Sequence, residues 1–117
     1  MTVDIAGTYR TVCDLDEIWE GEVVEFEVDG HDILIVHQIG GEVMALQALC
    51  PHQDISLAEG SFENGVLTCR AHLWQFDSRS GAGLNPDDCR LALYPVRVEA
   101  GKVLVSVEGV TPFRVGA

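Results

Sequence analysis

Val24, Phe26 and Val28 alternate with Glu25 and Glu27. This period of two marks a strand with one apolar and one polar face. Asp29-Gly30 follows, and then the apolar run Ile33-Leu34-Ile35-Val36. An Asp-Gly pair between two such runs predicts a hairpin. Gly40-Gly41 predicts a second turn, leading into a strand over residues 43–49. Near the C-terminus, residues 94–99 and 102–107 flank Ala100-Gly101 and predict a third hairpin. Residues 9–13 read as a first strand, and 14–19 as a short helical turn with Asp14 as its cap. From about 50 to 89 the pattern changes. Gly60, Asn64-Gly65, Gly81, Gly83 and Asn85-Pro86 break the chain into short pieces. The pattern predicts an all-β protein in which a loop-rich, site-bearing subdomain, about 48–89, is inserted in a β scaffold. Residues 1–117 form a single domain, with no repeat, low-complexity segment or linker.

The chain has 117 residues, enough for one modest core, and 47% of them are hydrophobic, which argues against disorder. No stretch approaches the roughly 18 apolar residues of a membrane helix. Met1-Thr2-Val3-Asp4-Ile5 is not a secretion signal, so the expected location is the cytoplasm. Seven Lys and Arg stand against nineteen Asp and Glu, a net charge of −12. Nucleic acid and anionic membranes are repelled by such a surface. The acidity serves solubility, steering toward basic partners, or both. A monomer is expected. The four cysteines, in a chain without a secretion signal, point to metal binding sooner than to disulfides.

Two motifs carry the chemistry. Cys50-Pro51-His52 is a C-x-H, and Cys69-Arg70-Ala71-His72 a C-x-x-H, with sixteen residues between His52 and Cys69. Each offers one thiolate and one imidazole from a short loop. A Cys₂His₂ set can hold structural zinc. Zinc motifs, however, usually pair like with like, whereas each loop here mixes the two ligand types. That mixture suits a two-iron cluster with cysteines on one iron and histidines on the other. A zinc module and simple packed side chains stand as the alternatives.

The spacing C-x-H, sixteen residues, C-x-x-H resembles the ligand pattern of Rieske ferredoxins, and the likeness extends over nearly the whole chain. Cys50-Pro51-His52-Gln53, Cys69-Arg70-Ala71-His72-Leu73-Trp74, Asn85-Pro86-Asp87-Asp88-Cys89 and Leu93-Tyr94-Pro95-Val96 look most like the ferredoxin component of bacterial toluene-type monooxygenases. The resemblance implies a Rieske fold, an antiparallel β-sandwich or partly open barrel. It implies one [2Fe–2S] cluster held by Cys50, His52, Cys69 and His72 in two loops at the tip. The histidines would lie at the exposed end, and the stretch near 81–88 would cover one side. It further implies a one-electron carrier with no catalysis of its own. An NADH-dependent flavin and iron–sulfur reductase would reduce it, and the di-iron hydroxylase of an aromatic monooxygenase would oxidise it. A Rieske dioxygenase system, or the small subunit of a nitrite reductase, is the alternative setting.

High-potential members of the family carry a disulfide between the ligand loops and hydroxyls near the cluster. The matching positions here are Ile55 and Ala71, which cannot form a bridge, and Trp74 and Phe76, which have no hydroxyl. Hydrogen bonds to sulfur raise the potential, so their loss predicts the low end of the Rieske range, near about −150 mV. Trp74 either packs the loop on the scaffold or helps form the docking surface. Gln53 and Asp54 orient the first loop or meet a partner, and Pro51 and Pro86 stiffen the loops. Cys13 and Cys89 read as buried small hydrophobes. His31 and His37 read as ordinary strand or turn residues. The carboxylates from Asp14 to Asp32 read as a solvated face.

Overall fold

The computed structural model describes residues 9–51, 55–71, 73–85, 87 and 89–114. The strands are β1 Arg10–Asp14, β2 Val23–Val28, β3 His31–His37, β4 Val43–Gln47, β5 Ser61–Glu63, β6 Val66–Thr68, β7 Gln75–Asp77, β8 Gly83–Asn85, β9 Leu93–Tyr94, β10 Val96–Glu99 and β11 Lys102–Val105. Short 3₁₀ turns span Leu15–Glu17 and Leu57–Glu59. Among the described residues these form three antiparallel sheets, ordered β1-β11-β10, β2-β3-β4-β9 and β5-β6-β7-β8.

The predicted hairpins form where the turn residues allow them. Asp29 (φ 50°) and Gly30 (φ 83°) join β2 to β3, and Ala100 (φ 52°) and Gly101 (φ 77°) join β10 to β11. Two successive positive φ angles are the signature of the tight turn whose twist matches that of the strands. Gly40 and Gly41 lie in the turn between β3 and β4. Asp14 departs from its expected role. It sits at the cap position of the first 3₁₀ turn, but its side chain makes no capping hydrogen bond. Lys102 stands opposite it in the β1–β11 register, and the Asp14 carboxylate accepts from the Lys102 ammonium instead.

β3 explains the apolar run. Ile33 and Ile35 join one buried cluster with Cys13, Tyr94, Val103 and Val105. Leu34 and Val36 join another with Leu46, Leu57, Leu67 and Phe76. The central sheet is therefore covered on both faces, the condition under which a strand reads as continuously apolar instead of alternating. The second of these clusters contains Cys50 and Cys69. A buried polar link ties the scaffold to the same side: Gln38 Nε2 donates to Ser78 Oγ at 2.7 Å, and that hydroxyl donates to the Gly65 carbonyl at 2.8 Å. No helix among the described residues is long and apolar enough to cross a membrane.

Candidate metal centre

Both cysteine motifs sit at hairpin tips of equal length. In the first, Leu57 N–H donates to Ala48 O, Leu49 bridges Ser56, and Cys50 N–H donates to Ile55 O at 2.9 Å. In the second, Thr68 pairs with Gln75 across β6 and β7, and Cys69 N–H donates to Trp74 O at 2.7 Å. Each cysteine thus closes a four-residue loop through its own amide, which leaves its side chain at the base of the tip. His52 is the second residue of its loop and His72 the third of its own, the origin of the unequal C-x-H and C-x-x-H spacings. His52, His72, Gln53, Asp54 and Pro86 lie outside the described residues.

Gly60, between the two motifs, lies hard against the backbone on either side of Cys69. A Cβ built there would come within 1.8 Å of Thr68 O and 3.2 Å of Arg70 N. Glu59, just before it, holds Arg70 Nε at 2.9 Å, so an exposed ion pair ties the intervening turn to the second loop. Ser56 steadies the intervening 3₁₀ turn by accepting from Ala58 N–H. Arg70, in the second loop, is therefore matched by a carboxylate.

Cys50 and Cys69 are 2% and 0% exposed. None of the four cysteines forms a disulfide. Ile55, Ala71 and Trp74 pack against the core around the two thiols. Trp74 thus follows the packing reading, and Phe76 is wholly buried in the same core. Two thiols in an apolar pocket fit a cluster that needs thiolates shielded from water.

Cys13 is buried in the opposite core, as expected. Cys89 is only partly buried and packs against the core that holds Cys50 and Cys69. His37 donates from Nδ1 to Ile18 O at 2.8 Å, and His31 Nδ1 pairs with the Tyr94 hydroxyl at 3.0 Å. The acidic run is partly engaged: Asp29 pairs with Arg10, and Glu22 accepts from Trp19 N–H. Two features escape a reading of the sequence. Leu73, next to His72, is 65% exposed and adopts φ 55°, a conformation leucine rarely takes. Gln47 is buried at the end of an apolar strand, and its being the polar residue in Met44-Ala45-Leu46-Gln47-Ala48-Leu49 was the available signal.

Burial, with Glu17 and Asp14 nearby, pushes the Cys13 thiol up to about 11 from 9.0. At pH 8 its thiolate fraction is then about 100-fold below that of an ordinary thiol, and alkylation of the folded protein should be slower by at least that factor. The unfolded chain loses this proton near pH 9 and the folded chain near 11, so folding stability should fall as pH rises through that window. Cys13→Ala should remove this share of the alkaline loss. Urea titrations at pH 8 and 10.5 measure it, and an equal loss in both proteins would refute the assignment.

A family model for the Rieske [2Fe–2S] domain matches residues 8–95. The ferredoxin component of the alkene monooxygenase system of Xanthobacter autotrophicus is 44% identical over 102 residues, 86% of this chain and 82% of that protein. The biphenyl dioxygenase ferredoxin subunit of a Pseudomonas species is 35% identical over 100 residues, 84% of this chain and 91% of that one. The solved ferredoxin of carbazole 1,9a-dioxygenase from Nocardioides aromaticivorans superposes with a TM-score of 0.78 at 31% identity, covering 85% and 97% of the two chains. A β scaffold with two buried thiols at paired hairpin tips, in this company, defines an electron-transfer ferredoxin and not a catalyst. The chain belongs to the Rieske [2Fe–2S] family and carries one cluster of that type, which sets the zinc reading aside.

Proposed function

We propose that Cys50, His52, Cys69 and His72 hold the cluster, with the cysteines on one iron and the histidines on the other. Residues 48–89 form the cluster-bearing part of a single domain, 1–117. The observation that supports this most is the matched pair of tips, each closed by its cysteine amide, with both thiols in one buried cluster. Bound there, the cluster takes up one electron and passes it on. The chain's part is to keep the thiolates dry and the loops rigid, which limits reorganisation when the charge changes.

The carrier works as a monomer in the cytoplasm. It takes electrons from an NADH-dependent flavin and iron–sulfur reductase and gives them to the di-iron hydroxylase of a toluene-type monooxygenase. The relative named as part of an alkene monooxygenase system supports the monooxygenase setting. The biphenyl and carbazole dioxygenase ferredoxins support a second reading, with a Rieske dioxygenase as acceptor. Stopped-flow mixing of the reduced carrier with each kind of oxygenase decides between them. Faster oxidation by the hydroxylase is expected, and oxidation by the dioxygenase alone would overturn the first reading.

Docking falls on the tip, where Leu73 offers an exposed apolar contact beside His72. Electron-transfer interfaces are small, below about 1,200 Å², so one apolar anchor matters. Leu73→Glu should slow transfer to the oxygenase about tenfold, the effect of roughly 1.4 kcal/mol at such an anchor, without changing the visible spectrum. The net charge of −12 should also make the rate fall as salt rises to physiological strength. Unchanged rates in both tests would move the docking face away from the tip.

A further inference from the structure

Beyond residues 8–95 that the family model matches, the chain returns to the cluster side. Thr111, Pro112 and Phe113 form one wall of a cleft of about 360 Å³, and Leu49 and Cys50 line it with them. This segment belongs to no strand, yet it is held at two points. Gln47 is the first. Its Oε1 accepts from Phe113 N–H and from Ala92 N–H, each at 2.8 Å. Its Nε2 donates to Phe113 O at 3.0 Å and to Leu49 O at 2.9 Å. One buried amide thereby binds both backbone groups of Phe113 and also the residue just before Cys50. The second point is Arg90, whose guanidinium lies 5.1 Å from the centre of the Phe113 ring.

We propose that Gln47 is a positioning residue that straps the segment around Phe113 across the Cys50 side of the metal centre, so that the chain's own backbone keeps water from that thiolate. The proposal rests on Cys50 being a ligand. Its consequence follows from charge. Two ferric irons, two sulfides, two thiolates and two neutral imidazoles are neutral together, and the added electron makes the reduced form anionic. Water favours the charged form. Loosening the strap should therefore raise the reduction potential, whereas a purely structural role for Gln47 would lower the melting temperature and leave the potential alone.

Two full-length holoproteins test this. Gln47→Leu keeps the size of the side chain and removes all four hydrogen bonds. Phe113→Pro removes the N–H that Gln47 accepts and the ring beneath Arg90, on an exposed segment outside both cores. In each, the potential should shift upward in a redox titration, and the Cys50 amide should exchange its hydrogen about tenfold faster or more. If Gln47→Leu fails to fold, Phe113→Pro decides alone. An unchanged potential and unchanged Cys50 exchange in Phe113→Pro overturn the strap. Cys50→Ala, prepared alongside, keeps the two readings apart. A variant still carrying two irons would overturn the ligand assignment, while its loss of iron, with no response in Phe113→Pro, would overturn the strap alone.

Discussion

Cys69→Ala should purify as a colourless protein without stoichiometric iron or acid-labile sulfide, whereas the wild type should be red-brown with two of each. The thiol lies at 0% exposure in the core that also holds Cys50, and its amide closes the second tip. Alanine preserves that amide bond and the backbone of the loop, so the loss isolates the ligand from the scaffold. Metal analysis and the visible spectrum measure it. Cys89→Ala is the control: Cys89 packs against the same core but is only partly buried, and its substitution should leave two irons in place. Iron retained in Cys69→Ala and lost in Cys89→Ala would exchange their roles. His72→Cys makes the complementary case. A third thiolate adds negative charge, so the potential should fall and the spectrum should move toward that of a cysteine-ligated ferredoxin.

Gly60→Ala should be the most damaging substitution outside the ligands. The added methyl would lie 1.8 Å from Thr68 O, and that atom belongs to backbone already paired in β6. No side chain can rotate away to make room, so the backbone on either side of Cys69 must shift. Forced insertion into a packed site costs about 1–3 kcal/mol and sometimes more. At the upper end, a domain of this size should melt about 10 °C lower. The resulting displacement of Cys69 should also reduce iron content. Calorimetry and iron analysis test the two consequences separately, and a variant with wild-type melting temperature and full iron would show that the tips do not need this contact. Arg70→Gln, which breaks only the exposed pair with Glu59, should cost about 1 kcal/mol or less.

How much of this was legible beforehand depended on the kind of signal each residue carries. Period-two alternation located β2, and the Asp29-Gly30 and Ala100-Gly101 turns located their hairpins, because both signals are local and depend on backbone sterics. Asp14 misled for the same reason: its local preference is to cap a turn, but Lys102, distant in sequence, stands opposite it and takes its carboxylate. The thiol and imidazole types and their spacings pointed to a metal centre, and the family match bears out the cofactor. The amide bonds that close the two tips could not be read from C-x-H and C-x-x-H, since the closing partners, Ile55 and Trp74, carry no chemistry of their own. Gly60 looked like any turn glycine, and its importance lies in a contact eight residues away. Gln47 and Phe113 are 66 residues apart, and nothing in either side chain announces the other.

The central sheet, buried on both faces, acts as a partition between two compartments with different duties. Along β3, Leu34 and Val36 face the compartment that houses the thiols, while Ile33 and Ile35 face the one closed by β1 and β11. Successive residues of one strand thus answer to separate demands. The iron side can accumulate changes that tune the electron carrier, and the far side can accumulate changes that firm the scaffold, with little cross-talk where the sites share no partners. A lineage adapting this domain to a new oxygenase could revise one compartment while the other stays as it is.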